Sequence, residues 1–408
     1  MSDISNGPLQ GLRVLDLADE KAAYCTKLFA NLGADVIKIE PPGGDPSRKI
    51  GPFVKDDQHG NKSLHWLHYN TNKRSITLNL QTTDGKHLLR KLSDNADIIV
   101  ETFAPGVMEE MGIGWEVLSK SNPRLIMASI TPFGHKGPWK NYKTSDLVSV
   151  ALGGLLSTCG WPDRAPEKVG GPQAPQAYHM AAVQAAVGTL VALYERSKTR
   201  RGRHIDISIH ASVPVNLMIS VPIYERTGEI KKREGDKHSD AGHGIFACKD
   251  GYIDFRLRFQ KWNKFVEWLD KDGKAGELKE EKWKDIWFRK EPENVRTIDK
   301  HFREFLLMHT KQELYVDGQK RGFEIAPVNT VQEVTESVQL RERRYFIPQE
   351  HPELGRTLEY LGAPFRMSLT PWKIGKTAPL AGQHNREVYQ ETGLNQTELT
   401  ALTQAGII

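Results

Sequence analysis

Tyr178 and His179 stand at the start of a stretch without acids: between Glu167 and Glu195 there is no Asp or Glu. A phenol titrating near pH 10 beside an imidazole titrating near pH 6.5 pairs an oxygen nucleophile with a base. Consecutive helical residues do not face each other, so in a helix the two side chains diverge. Packing or a substrate contact for Tyr178, and a satisfied helix-start imidazole for His179, are the competing readings. Cys25, Cys159 and Cys248 lie far apart with no paired spacing. That disfavours metal ligation and disulfides and fits reduced thiols in a cytoplasmic protein.

The stretch 169–194, VGGPQAPQAYHMAAVQAAVGTLVALY, is the longest run free of formal charge. Gly170, Gly171, Pro172 and Pro175 make its opening a loop. From Tyr178 onward, Ala181, Ala182, Ala185, Ala186 and Ala192 give high helix propensity, with Val183, Val187, Leu190 and Leu193 adding apolar weight. A helix apolar nearly all round is buried in a core or spans a membrane. Residues 180–194 fall short of the roughly 20 residues a span needs, and Gln184 interrupts them. The expectation is a core helix and no membrane.

Upstream, RVLDL (Arg13–Leu17) reads as a strand, 22–32 as a helix closed by Gly33, and 35–39 (DVIKI) as a second strand. This βαβ unit implies a parallel sheet. The turn at 18–22 contains no glycine, so the dinucleotide fingerprint is missing and NAD enzymes are disfavoured. After a sharp PPGGD turn at 41–45 come strands at 75–80, 97–103 and 124–129, a helix at 85–92, and short helices at 107–111 and 115–119. The reading is a doubly wound, Rossmann-like α/β sheet.

A chain of 408 residues, 38% hydrophobic and 26% charged, predicts a soluble protein of two or three domains. The start, MSDISNGPLQGL, carries no basic-then-apolar leader pattern. The net charge of +5 suits an acidic ligand without requiring nucleic acid. From 224 the composition shifts to Trp262, Trp268, Trp283 and Trp287 among interleaved Lys and Glu. The acids cancel the charge a nucleic-acid surface would need, so these tryptophans are expected to face inward on amphipathic helices. The expected organisation is a large domain from 1–223 and 335–408 around a smaller α+β domain at 224–334, with a return beginning at 327–331 and a closing polar helix at 396–404.

In order along the chain, eight segments resemble the class III CoA-transferases, the family that includes formyl-CoA transferase and the carnitine CoA-transferases. They are GLRVLDL at 11–17, LGADVIKIEPPGGDPSR at 32–48, NTNKRSITLNL at 70–80, ADIIVETFAPGVMEEMGI at 96–113, NPRLIMASITPFGHKGP at 122–138, KDGYI at 249–253, IAPVNTVQEV at 325–334 and APLAGQHNREV at 378–388. The resemblance implies an interlocked dimer and CoA thioesters as substrates, with no tightly bound cofactor. It also implies a carboxylate nucleophile that passes through a mixed anhydride to an enzyme-bound CoA thioester. The family's aspartate opens the Ala-rich helix in a D-Y-x-x-G-like pattern, fifteen residues before the leucine of an Ala-Leu pair. Counting back fifteen from Leu193 reaches Tyr178; a one-residue slip reaches Ala177. Neither is acidic, and the motif's glycine is Ala182.

Other family positions differ as well. Asp19, Glu20, Lys21, Ala22 and Ala23 replace a Gln and a Gly-Pro; Glu110 and Pro41 replace basic positions; the active-site glycine loop shrinks to DAGHG at 240–244. What remains for CoA is Leu78, Phe103 and Lys143, the last equally readable as an ordinary surface lysine. The resemblance therefore implies a subunit with no catalytic nucleophile of its own, partnered by a homologous Asp-bearing chain, moving CoA from a donor such as succinyl-CoA to a carboxylic acid such as benzylsuccinate. The alternatives are a structural or regulatory chain that binds no CoA, and a homomeric acyl-CoA lyase or isomerase.

Overall fold

Strand β1 (Arg13–Leu17) is buried on both faces, the mark of a strand inside a parallel sheet. Around it lie β2 (Asp35–Glu40), β3 (Arg74–Thr77), β4 (Ile98–Glu101), β5 (Ile126–Thr131) and β6 (His204–Ser208). All pairs are parallel, in the order β3-β2-β1-β4-β5-β6, with Val14 opposite both Val36 and Ile98. The strand order reverses direction between β1 and β4, where a doubly wound sheet opens a crevice at its carboxyl edge. The computed structural model describes residues 7–54, 62–171, 174–217, 219–235 and 240–408; residues 1–6 and Pro172, both used above, lie outside them.

Each face of the sheet has its own core. One joins Cys25, Phe29 and Val36 to a row of alanines, Ala177, Ala181, Ala182 and Ala185. The other gathers Leu88, Leu89, Leu118 and Met127 with Tyr389, Leu399 and Ile408 from the end of the chain. The C-terminal helices Asn385–Glu391 and Gln396–Gln404 thus complete the first unit, which comprises Met1–Leu156, Lys168–Ile230 and Gln339–Ile408. It also holds an antiparallel pair, β10 (Phe346–His351) with β11 (Arg356–Leu361).

The long helix differs from expectation in length and in which face is apolar. It spans Gln176–Thr199, 24 residues. Length therefore cannot exclude a membrane span, and this helix is long and apolar enough to cross one. Its alanines pack it onto the sheet, but it is not buried all round. Val183, Val187, Val191 and Tyr194 point away from the core, the last two 63% and 66% exposed. Alanine leaves the backbone room to approach β5 and β6 closely, so the alanines face in and the valines face out, with Met180, Leu190 and Leu193 packed at the margin of the core.

The second unit comprises Ser157–Glu167 and Lys231–Val338. A three-stranded antiparallel sheet, β7 (His243–Cys248), β8 (Gly251–Arg256) and β9 (Glu324–Pro327), is covered by helices Trp262–Asp270, Pro292–Leu306 and Lys311–Lys320. Trp262, Trp268 and Trp283 pack with Phe255, Phe265 and Phe302 in its core. Trp287 does not: it is 74% exposed, because Asp285 caps the short Ile286–Lys290 helix and turns that ring outward. The return begins later than 327–331, since β9 is hydrogen-bonded to β8 and holds that segment in the second unit.

Candidate functional site

The carboxyl edge at the switch point carries a cavity of about 260 Å³, lined by Leu17, Ile39, Pro41, Leu78 and Phe103 among others. Leu78 closes the end of β3, its amide donating to the Glu40 carbonyl at 2.7 Å. Phe103 follows β4, its amide donating to the Glu101 carboxylate at 2.7 Å. Three acids also line the cavity, and each has a cation of its own. Glu40 accepts two bonds of 2.7 Å from Arg48, Asp45 pairs with Lys38 at 3.0 Å, and Asp19 pairs with Lys21. Burial opposes ionisation of Asp45, but Lys38 and Ser47 outweigh it and hold the carboxyl below its ordinary value. The wall is thus apolar with compensated charge at its rim. Lys143 does not join it; that side chain is exposed in the loop before the Asp146–Leu152 helix, outside this lining. Glu110 is exposed at the end of a one-turn helix.

Beneath the cavity lies a buried ionic cluster. Lys73 Nζ donates to Asp16 at 2.8 Å, to Thr26 at 2.8 Å and to Asn70 at 2.9 Å. Lys38 bridges Asp16 and Asp45. Burial works against the Asp16 charge, yet Lys38 and Lys73 lower its pKa. This cluster ties β1, β2 and the loop ahead of β3 together, fixing the floor under the crevice.

Tyr178 sits in the first turn of the long helix, half-buried. The helix start carries no side-chain cap from its own N-cap residue, Pro175. Asp146, remote in sequence, supplies one: the amides of Gln176 and Tyr178 donate to its two oxygens at 3.1 and 2.9 Å, and Lys168 pairs with it at 2.6 Å. Burial, then Glu20, Asp146 and Asp19, push the Tyr178 phenol up to about 12. It is a protonated hydroxyl at neutral pH. His179 turns elsewhere and meets the Tyr69 hydroxyl at 2.6 Å, its ring 4.8 Å from that of Tyr24. Burial lowers its pKa, so the ring is neutral. Tyr178 and His179 therefore do not form a nucleophile–base pair. Ala177, the other candidate position, is fully buried.

The structure brings Leu78 and Phe103, which the resemblance offered, to one cavity, while sequence reasoning missed Asp146, Lys168 and Tyr69. The Ser145–Asp146 pair is visible as a helix start, and Ser145 does cap its own helix. Nothing local shows that Asp146 also caps a second helix thirty residues on.

Sequence and structure comparisons agree on the family and the fold. The model for CoA-transferase family III matches residues 9–385. The chain therefore belongs to CoA-transferase family III, enzymes that take CoA thioesters as substrates rather than as resident cofactors. Among its relatives is the BbsE subunit of succinyl-CoA:(R)-benzylsuccinate CoA-transferase from Thauera aromatica, 33% identical over 97% of each chain. Another is the beta subunit of succinyl-CoA–L-malate CoA-transferase from Chloroflexus aurantiacus, 31% identical over 94% of each. A CaiB/BaiF family protein from Brucella suis, known from a crystal structure, superposes with a TM-score of 0.84 at 29% identity, covering 95% of this chain and all of that one.

Proposed function

We propose that this chain is the non-nucleophilic subunit of a cytoplasmic heteromeric CoA-transferase. Its partner is a homologous chain that carries the aspartate, and the reaction moves CoA from succinyl-CoA to a carboxylic acid such as benzylsuccinate. The observation that carries this reading is the absence of any Asp or Glu between Glu167 and Glu195, the stretch that opens the long helix and in which the resemblance puts the family's carboxylate at Tyr178 or, slipped by one residue, at Ala177. The outward stripe Val183, Val187, Val191 and Tyr194 supports a partner, since monomers rarely leave a continuous apolar face to water. Two relatives carry the word subunit in their names. The cavity with Leu78 and Phe103 is the place for the CoA adenosine, at the crevice where such sheets bind ligands. Lys143 is kept as a phosphate contact only in the assembled complex. Pro41 and Glu110 leave the isolated chain a weak CoA binder, because each lost charge-assisted phosphate bond removes about 1.5–3 kcal/mol.

The chemistry in the partner balances. Its carboxylate oxygen attacks the thioester carbonyl and expels the CoA thiolate, leaving a mixed anhydride. The thiolate then attacks the carbonyl carbon of the enzyme's own carboxyl, releasing succinate. Repeating these steps in reverse on the acceptor restores the carboxylate.

A second reading has one observation in its favour. Glu20 and Asp19 lie close enough to Tyr178 for their charges to raise its phenol, and burial raises the pKa of Glu20. A carboxylate from the turn after β1 would then replace the missing aspartate. Hydroxylamine trapping during turnover separates the two, since a protein side chain becomes a hydroxamate only where its own carboxyl has been activated as anhydride or thioester. A modified aspartate on the partner alone is the expected result. A hydroxamate on Glu20, together with transfer by the purified chain that is lost in Glu20→Gln, would replace the first reading with the second.

A further inference from the structure

The second unit holds a cavity of about 290 Å³ whose walls combine cations with flat apolar surface. Arg256, Arg258, Arg289 and Lys290 line it, against one acid, Asp240, among the described residues. Arg258 is occupied by Glu324 at 2.7 Å. Arg256, at the end of β8, has no ion pair among the described residues, and its cross-strand neighbour is that same Glu324.

Arg289 is the telling group. Its guanidinium lies 4.6 Å from the centre of the buried Trp262 ring. It reaches only the backbone carbonyls of Asp285 and Lys284, at 3.4 and 3.5 Å. No carboxylate pairs with it among the described residues, although it is half-buried. A cation withdrawn from water is normally paired, and stacking on an aromatic face holds it in place without neutralising it. Trp262 is itself packed against Phe265 and Trp283, so the platform does not yield. The opposite character comes from Leu257, Ile286 and Ile298, with Phe259 exposed beside them.

We infer that this cavity is a binding site for a small dianion with an apolar, ring-sized body, its charges met by Arg289 and Arg256 and its body by Leu257, Ile286 and Phe259. The volume is at the lower end for small-molecule sites and suits a ligand of that size. An arylalkyl dicarboxylate and an aryl phosphate ester share this chemistry. The site is independent of whether the chain bears a nucleophile, because every residue named belongs to the second unit.

Calorimetry on the full chain tests it with phenylsuccinate, phenyl phosphate, succinate and inorganic phosphate. One of the two aryl dianions should bind with one-to-one stoichiometry, and which one identifies the source. Succinate and phosphate should bind at least tenfold more weakly, because they lack the body. Arg289→Gln should weaken the aryl dianion at least tenfold, Arg256→Gln should weaken it further, and Phe259→Ala, at an exposed position that cannot unfold the unit, should weaken it several-fold. No binding of either aryl dianion at millimolar concentration would overturn the inference. So would affinity unchanged in Arg289→Gln and Phe259→Ala, which would put the ligand elsewhere on the chain.

Discussion

At Tyr178 the chemistry depends on a single proton. A phenol held near 12 and flanked by Glu20, Asp146 and Asp19 is a hydrogen-bond donor, not a nucleophile. In the assembled enzyme, Tyr178→Phe should leave kcat/KM within several-fold of the parent, read from steady-state transfer kinetics; a loss of a thousandfold with the fold intact would give the hydroxyl a direct role. Lys27 makes a second prediction at the same scale. Its Nζ donates to the His68 carbonyl at 2.5 Å, and it has no carboxylate partner among the described residues. Burial, then Lys73, bring its pKa down to about 7. A lysine depressed in the folded state binds fewer protons there than in the unfolded chain between about pH 7 and its ordinary value of about 10.4. Stability therefore rises with pH across that window. The parent should gain about 2 kcal/mol from pH 7 to 9 relative to Lys27→Met, which cannot titrate. An unfolding free energy, read from urea titrations at the two pH values, that changes equally in the parent and in Lys27→Met would show that Lys27 is charged in the native state.

The long helix shows how much of its position is set by residues outside it. Its start is held by Asp146, and the Asp146–Lys168 pair is almost wholly withdrawn from water. Asp146→Ala should cost about 3 kcal/mol or more, since it strands a buried lysine and frees two helix-start amides. Hydrogen exchange should show the amides of Gln176 and Tyr178 losing protection before those of Ala185 and Ala186. Parallel strands were legible because apolar residues fall on both faces, as in β1, β2 and β4, even though Asp16 and Lys38 are buried among them. Strand β6 was missed: HIDIS alternates only weakly, and its pairing to β5 lies more than seventy residues away. The helix was legible as a helix from its alanines, but not which face was buried. Composition counts apolar residues, whereas the sheet takes the alanines, so a helix read as apolar all round and buried leaves its valines exposed. The cavity partners Leu78 and Phe103 came from a resemblance. The Asp146 cap and the Tyr69–His179 bond came from neither spacing nor resemblance, because both depend on contacts remote in the chain.

At the level of the whole molecule, the outward stripe of the long helix decides between a free chain and an assembled one. Val183, Val187 and Val191 recur at helical spacing, with Tyr194 continuing the line, and Leu152 and Ile219 are also exposed. Burying a fully exposed valine contributes about 1.5 kcal/mol at the low end, and the three valines are about half exposed, so covering them contributes about 2 kcal/mol toward association, with Tyr194 adding to it. Co-expressed with an aspartate-bearing homologue, this chain should be recovered in an equal-ratio complex by native mass spectrometry. Val187→Asp places a charge at the middle of the stripe but touches nothing in the core, so circular dichroism should be unchanged while the complex dissociates and transfer falls with it. A Val187→Asp chain that still assembles in equal ratio would mean the partner binds another face, and homodimers alone after co-expression would overturn the heteromeric reading proposed above.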